Sequence, residues 1–189
     1  MKIIIGLVGE KGSGKGTFTN LLQEIASESL SRKRSGDILF ETLKLWGISP
    51  SRENLQKLAI IMDNSYGRGS LTHAVYKRIV EDPADIIIFD GVRWETDVCM
   101  IRQFSSNILI YVTADIKIRY ERTKLRKEKD GEAHTSFEQF QKEEKAQTEI
   151  FISQIGATAD MRIINNGSWE ELKERVADLY KNYIKSACE

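Results

Sequence analysis

Residues Gly6 to Leu22 read GLVGEKGSGKGTFTNLL, and they follow the apolar run Ile3-Ile4-Ile5 directly. Glycine loses more conformational freedom on folding than any other residue, so a cluster of it requires a reason. Here Gly12, Gly14 and Gly16 crowd around Lys15. Beyond them Phe18, Leu21, Leu22 and Ile25 keep the i, i+3, i+4, i+7 spacing of a helix with one buried face. The chain therefore leaves a buried strand, passes through a flexible turn and enters a helix.

Within this stretch Gly9-Glu10-Lys11-Gly12-Ser13-Gly14-Lys15 fits G-x-x-x-x-G-K. Without side chains in the way, successive backbone N–H groups can converge on one anion. The start of the helix adds unpaired N–H groups and the positive end of its dipole. Lys15 supplies a cation for the β- and γ-phosphates of a nucleotide. The usual pattern places Ser or Thr directly after the lysine. Gly16 stands there instead, and Thr17 is the nearest hydroxyl for Mg²⁺. Gly9, Gly12, Ser13, Gly14, Lys15, Gly16 and Thr17 are thus the expected nucleotide-binding residues.

Outward from this loop, short runs rich in Ile and Val alternate with longer amphipathic ones. Strands are expected at Ile3–Val8, Ile86–Phe89, Ile108–Val112 and Met161–Ile164, with a weaker one near Leu30–Arg34. Their unbroken hydrophobicity suits strands covered on both faces, and the alternation with helices points to an α/β fold with a parallel sheet. Residues 35 to 82 lack a clear strand and read as successive helices on one side of that sheet. The last helix begins at Ser168 with Glu171 three residues on, a capping box, and buries Trp169, Leu172, Val176, Leu179, Tyr180 and Tyr183. Trp46, Trp94 and Trp169 are expected to pack on the sheet or cap helices. The mixed charges from Glu138 to Glu149 read as a solvated helix face, with Phe137, Phe140 and Ile150 turned inward.

The 189 residues carry 28 basic and 28 acidic side chains, so the formal charge is zero. That balance argues against a nucleic-acid coat or a membrane-surface protein. No run is long enough to span a bilayer, and the N-terminus enters the first strand at once, which gives a cytoplasmic expectation. Cys99 and Cys188 form no metal or redox spacing, and His73 and His134 lack partners at ligand spacing. Tyr66-Gly67-Arg68-Gly69 is a turn by composition, with Arg68 facing solvent.

The Gly14-Lys15-Gly16-Thr17 form resembles the nucleoside monophosphate kinases, adenylate kinase above all. Ser35-Gly36-Asp37-Ile38-Leu39 resembles their acceptor-binding segment, although Phe40 replaces the usual arginine; Arg32 or Arg34 can take over that phosphate contact. Asp90-Gly91-Val92-Arg93 resembles their D-G-x-P-R segment, shortened by a residue. The resemblance implies that Asp90 holds Mg²⁺ through water and that Arg93 grips the acceptor's phosphate. Arg119, Arg122 and Arg126 share a helix face by their spacing and resemble a lid helix, with Arg122 and Arg126 closing on the transferring group. Ala159 to Ser168 resembles the closing segment of dephospho-coenzyme A kinases, and the resemblance implies that Asn165, Asn166 and Gly167 offer backbone and amide groups to adenine.

The resemblance thus implies a P-loop fold with five parallel strands in the order 2-3-1-4-5, helices on both faces and the ligand crevice at the strands' carboxyl ends. It implies one domain over 1–189, with an acceptor-binding insertion about 35–82 and a lid about 119–145. The expected reaction is ATP-dependent, Mg²⁺-assisted phosphoryl transfer to a small phosphorylated acceptor, foremost a nucleoside or deoxynucleoside monophosphate. A hydroxyl acceptor would need a base, and Asp37 is the candidate. Dephospho-coenzyme A kinase is the nearest alternative, and a nucleic-acid-linked or regulatory ATPase is one of another class. A GTP switch would need an Asn-Lys-x-Asp segment, which the sequence lacks.

Overall fold

A computed structural model describes residues 2–126, 135–146 and 149–188, with the side chains of Arg52 and Arg126 outside the description. His134 and the middle of the expected lid lie outside the described residues.

The strands are β1 (Ile3–Val8), β2 (Leu30–Lys33), β3 (Ile86–Val92), β4 (Asn107–Thr113) and β5 (Met161–Ile164). They form one sheet in the order β2-β3-β1-β4-β5, and every neighbouring pair is parallel. Strand side chains alternate between faces, so an unbroken apolar run must supply two cores at once. Ile3, Ile5 and Leu7 of β1 join Ile86, Ile88, Ile108, Ile110 and Val112 in one cluster. Ile4 and Val8 join Ile87, Phe89, Leu109 and Tyr111 in the other.

The helices are α1 (Lys15–Ile25), α2 (Ser35–Leu45), α3 (Arg52–Tyr66), α4 (Ser70–Glu81), α5 (Glu95–Ile101), α6 (Ile116–Arg126), α7 (Phe137–Glu143), α8 (Ile152–Gly156), α9 (Trp169–Leu179) and α10 (Lys185–Cys188). Phe18, Leu21 and Leu22 of α1 cover the first face with Leu172, Val176 and Leu179 of α9. Val75 and Ile79 of α4, Met100 and Ile101 of α5, and Ile152 and Ile155 of α8 cover the second. A satellite cluster of Leu39, Leu43, Leu58 and Leu71 joins α2, α3 and α4 beside the sheet.

Several expectations change at element ends. Strand β3 runs on to Val92, so Asp90 lies inside it. Leu7 pairs with Asp90 and Val8 with Val92, which leaves Gly91 as an extra, bulged residue. Its φ of 96° is a conformation that glycine adopts without strain. Ser168 caps α9 as expected and accepts the Glu171 N–H at 3.2 Å. After Leu179 the helix widens into a π segment, Tyr180–Ile184, so Ile184 is buried and Tyr183 is exposed. Trp46, Trp169 and Ile150 are also exposed. Trp46 is the C-cap of α2, one of the capping places expected of the tryptophans, and Trp169 is the first residue of α9.

Strand β2 is held at the sheet edge by Asp82, which follows α4. Its carboxylate pairs with Lys33, accepts the Ser31 hydroxyl at 2.8 Å and accepts the Ala84 N–H at 2.8 Å. Burial pushes the Asp82 pKa up, but Lys33, Ala84 and Ser31 outweigh it and lower the value to about 2. A depressed carboxylate stabilises the fold above its unfolded pKa and loses that contribution as pH falls through the folded one. Asp82→Asn should therefore destabilise the protein by roughly 1–2 kcal/mol at neutral pH. In urea unfolding followed against pH, the gap to wild type should close between about pH 4 and about pH 2.

Candidate active site

The loop between β1 and α1 arrives beside the carboxyl ends of β3 and β4, where other chain segments take up its carbonyl oxygens. The Lys15 ammonium donates to the Gly9 carbonyl at 2.5 Å and to the Glu10 carbonyl at 3.1 Å. Glu10 also accepts the Ser13 N–H at 3.2 Å. Arg119 donates to the Lys11 carbonyl at 3.3 Å, and the Asn165 amide donates to the Ser13 carbonyl at 2.9 Å. A side chain at Gly9 would strike the Val112 carbonyl, one at Gly12 the Arg119 carbonyl, and one at Gly14 the Asn165 amide. Gly14 caps α1 with a φ of 101°, in the left-handed region. Gly16 occupies the first turn, partly open, and Thr17 is exposed beside it. The next hydroxyl, Thr19, is buried and bonds back to the Lys15 carbonyl at 3.1 Å.

Burial lowers the Lys15 pKa; Asp90, Glu149 and Glu10 oppose that shift, while Arg93 adds to it. Asp90 is buried in β3. Its Oδ2 accepts Arg32 Nε at 2.9 Å and also pairs with Arg32 Nη2, while Oδ1 is buried without a partner. Ser13 Oγ and Glu10 Oε2 are likewise buried and unpartnered among the described residues. The other Glu10 oxygen accepts the Tyr111 hydroxyl. Unpaired buried polar atoms are expensive, and three of them around one loop suit a polar ligand or its water shell.

Arg93 leaves the β3 turn and pairs with Glu149, while its N–H donates to Asp97 at 3.0 Å. Asp97 is buried, and it also accepts the Trp94 N–H at 3.2 Å and the Thr72 hydroxyl at 2.6 Å. Burial raises the Asp97 pKa, and these donors oppose the shift. Asp97 thereby fixes the turn that carries Arg93. The sequence holds one signal of it, an acidic residue at the third position of α5.

The α6 arginines do not act as one exposed face. Arg119 is buried, with Nε on the Ala114 carbonyl at 2.9 Å and a forked pair to Glu144. Arg122 reaches the loop after β5, donating to the Asn165 carbonyl at 2.8 Å and the Gly167 carbonyl at 3.5 Å. The Arg126 side chain lies outside the described residues. Asn166 accepts the Asp115 N–H at 2.8 Å. Asn165 is therefore a brace for the glycine loop, while Asn166 and Gly167 form the rim beside it.

The acidic stretch expected to be solvated is instead folded onto cations. Glu143 meets Lys11 at 3.4 Å, Glu144 meets Arg119 and Glu149 meets Arg93. At the other end of the site Ser35, Gly36 and Asp37 open α2, and Asp37 is paired with Arg34 at 2.7 Å. Arg68 and His73 are exposed, as is Cys99.

A sequence family described as "AAA domain" matches residues 5–151. The chain belongs to this AAA domain family. As an AAA domain it is similar to the UPF0200 protein of Sulfurisphaera tokodaii, 30% identical over 96% of this chain and 97% of the relative. It is similar also to that of Hyperthermus butylicus, 27% identical over 91% of this chain and 90% of the relative. Among solved structures it resembles shikimate kinase from Acinetobacter baumannii in complex with shikimate. The TM-score is 0.57 at 14% identity, over 96% of this chain and 94% of that one. That likeness is one of fold, and the fold is the P-loop kinase one. No helix among the described residues is long and apolar enough to cross a membrane.

Asn165→Ala should weaken the AAA domain in two measurable ways. Chemical unfolding should show a loss of about 1–3 kcal/mol, because the Ser13 carbonyl is left without its buried donor. Calorimetry should show weaker nucleotide binding, because Ser13 and Gly14 lose their brace.

Proposed function

We propose that this chain is an ATP-dependent phosphotransferase whose acceptor is a small phosphorylated molecule, foremost a nucleoside or deoxynucleoside monophosphate. One observation carries the reading. The loop from Gly9 to Gly14 has its carbonyls tied back by Lys15, Arg119 and Asn165, with a buried carboxylate, Asp90, beside Lys15. That is a cradle for a polyphosphate with a cation-binding group at its edge.

The residues present fit Mg²⁺ held through water: Asp90 offers a free buried oxygen, and Thr17 an accessible hydroxyl. When bound, the ion neutralises charge on the β- and γ-oxygens. The chain's own groups do the remainder. Lys15 exchanges the Gly9 and Glu10 carbonyls for phosphate oxygens, whose negative charge adds to that of Asp90 against the lowering that burial imposes. Gly12, Ser13, Gly14 and Gly16 contribute the backbone of the cradle. Asn166 and Gly167, with Arg122 bonded to that loop, frame the nucleoside end. Arg93, aimed by Asp97 and Glu149, meets the acceptor's phosphate, and Ser35, Gly36 and Asp37 line the acceptor's approach. A phosphate acceptor is already a nucleophile, so positioning and electrostatics do most of the work.

The dephospho-coenzyme A kinase alternative rests on the stretch around Asp160. In this fold Asp160 serves the framework, accepting the Leu109 N–H at 2.7 Å and pairing with Arg102 at 2.8 Å. That stretch closes the sheet edge and so says little about the acceptor.

Coupled assays with Mg·ATP, a panel of ribo- and deoxyribonucleoside monophosphates, and dephospho-coenzyme A test the reading. Transfer to a monophosphate is expected, and Lys15→Ala should lower it at least about 100-fold. Arg93→Ala should lower transfer roughly 10- to 100-fold while Mg·ATP affinity measured by calorimetry is retained. Equal loss of ATP binding in Arg93→Ala would remove Arg93 from the acceptor side.

A further inference from the structure

Resting on the phosphotransferase reading, we propose that Arg32 is a catalytic residue, its guanidinium stabilising the phosphoryl group as it passes from ATP to acceptor. Arg32 comes from β2, next to β3 in the sheet, and Asp90 is one residue beyond the last paired position of the two strands. Three observations meet on this side chain. It bonds to Asp90 through Nε at 2.9 Å and through Nη2, both on the same carboxylate oxygen. Its Nη2 lies 4.0 Å from where a Cβ on Gly16 would stand, the nearest described approach from outside the glycine's own stretch of helix. The guanidinium thus lies beside the first turn of α1, where helix N–H groups face the donor's phosphates. Finally, Arg32 lines a cavity of about 240 Å³ together with Lys33, Arg34, Asp37, Glu41 and Arg78.

Arg32 is therefore at once beside the donor helix, bonded to the buried carboxylate and open to the acceptor-side cavity. Its neighbours in the cavity have carboxylates of their own: Lys33 meets Asp82, Arg34 meets Asp37 and Arg78 meets Glu41. Arg93, which the sequence points to, lies against Glu149 and is not among the residues lining this cavity. Asp90 divides its labour. One oxygen fixes the guanidinium, while the other is buried, without a partner among the described residues, and available to water around a cation. In the transfer an acceptor oxygen bonds to the γ-phosphorus as the bond to the β–γ bridging oxygen breaks. That oxygen leaves on ADP with the electron pair, and a phosphate dianion as acceptor has no proton to lose. Charge on the three equatorial oxygens is what a forked donor can meet, and lysine cannot reproduce the fork.

Titration of Mg·ADP with and without aluminium fluoride, an analogue of the transferring group, tests this without knowing the acceptor. Wild type should bind ADP at least about tenfold tighter when fluoride is present. Arg32→Lys should bind Mg·ADP within about threefold of wild type without fluoride, and should lose the enhancement. In wild type the Arg32 Nε–H resonance should also move when fluoride is added to the Mg·ADP complex, a readout that survives if the variant folds poorly. An enhancement retained in a folded Arg32→Lys, an unmoved resonance, or no enhancement in wild type overturns the assignment. Failure of the underlying reading looks different: wild type would then bind no Mg·ADP at all, and both would fall.

Discussion

A loop that binds phosphate through backbone N–H groups works only if its own carbonyl oxygens are kept away from the anion. Each carbonyl left inside the cradle would repel the ligand, and each one buried without a donor would destabilise the fold. Here the donors come from far along the chain. Asn165 reaches Ser13 across 152 residues, and Arg119 reaches Lys11 across 108. Lys15 holds the Gly9 and Glu10 carbonyls from within until a phosphate takes their place. The glycines make this possible by letting the Val112 and Arg119 carbonyls and the Asn165 amide come within contact of the backbone. The order of the sheet follows the same demand, because β4, next to β1, and β5, next to β4, carry α6 and the Asn165 loop to the glycine turn.

The same constraint explains what could be read in the sequence. Local signals were enough for β1, for the helix start at Lys15 and for the capped start of α9, since each depends on neighbours within a few residues. The strand order came from resemblance, and the sheet has it. Asp90 was legible as a carboxylate after an apolar run, but its place inside β3 depends on the Gly91 bulge, which only register reveals. Arg32 was legible only as one of two candidates, with Arg34, for a phosphate contact; pairing of β2 with β3 brings it to Asp90 across 58 residues. A stretch such as Lys142-Glu143-Glu144-Lys145 has the composition of a solvated face. Its partners, Lys11 and Arg119, lie on other elements, so composition alone misplaces it. Tyr183 and Ile184 exchange places because one wide turn breaks the 3.6-residue period on which the stripe was counted.

Three arginines around the site are each set against a carboxylate, in a chain whose formal charge is zero. Arg32 lies against Asp90, Arg93 against Glu149 and Arg119 against Glu144. These pairs are unequal. Arg119 is almost wholly buried at 7% exposure, whereas Arg93 stands at 39% and Arg32 at 31%. A buried ion pair that loses one partner leaves an uncompensated charge, which is strongly destabilising. Arg119 and Glu144 therefore belong to the framework that shapes the loop. Arg93 and Arg32 reach solvent, so a phosphate oxygen can approach either one while the carboxylate keeps its hold. A guanidinium has five N–H donors in a fixed fork, enough to serve both at once. The carboxylates then aim the arginines at the ligand, and local neutrality becomes a means of orientation without making the site less able to bind an anion.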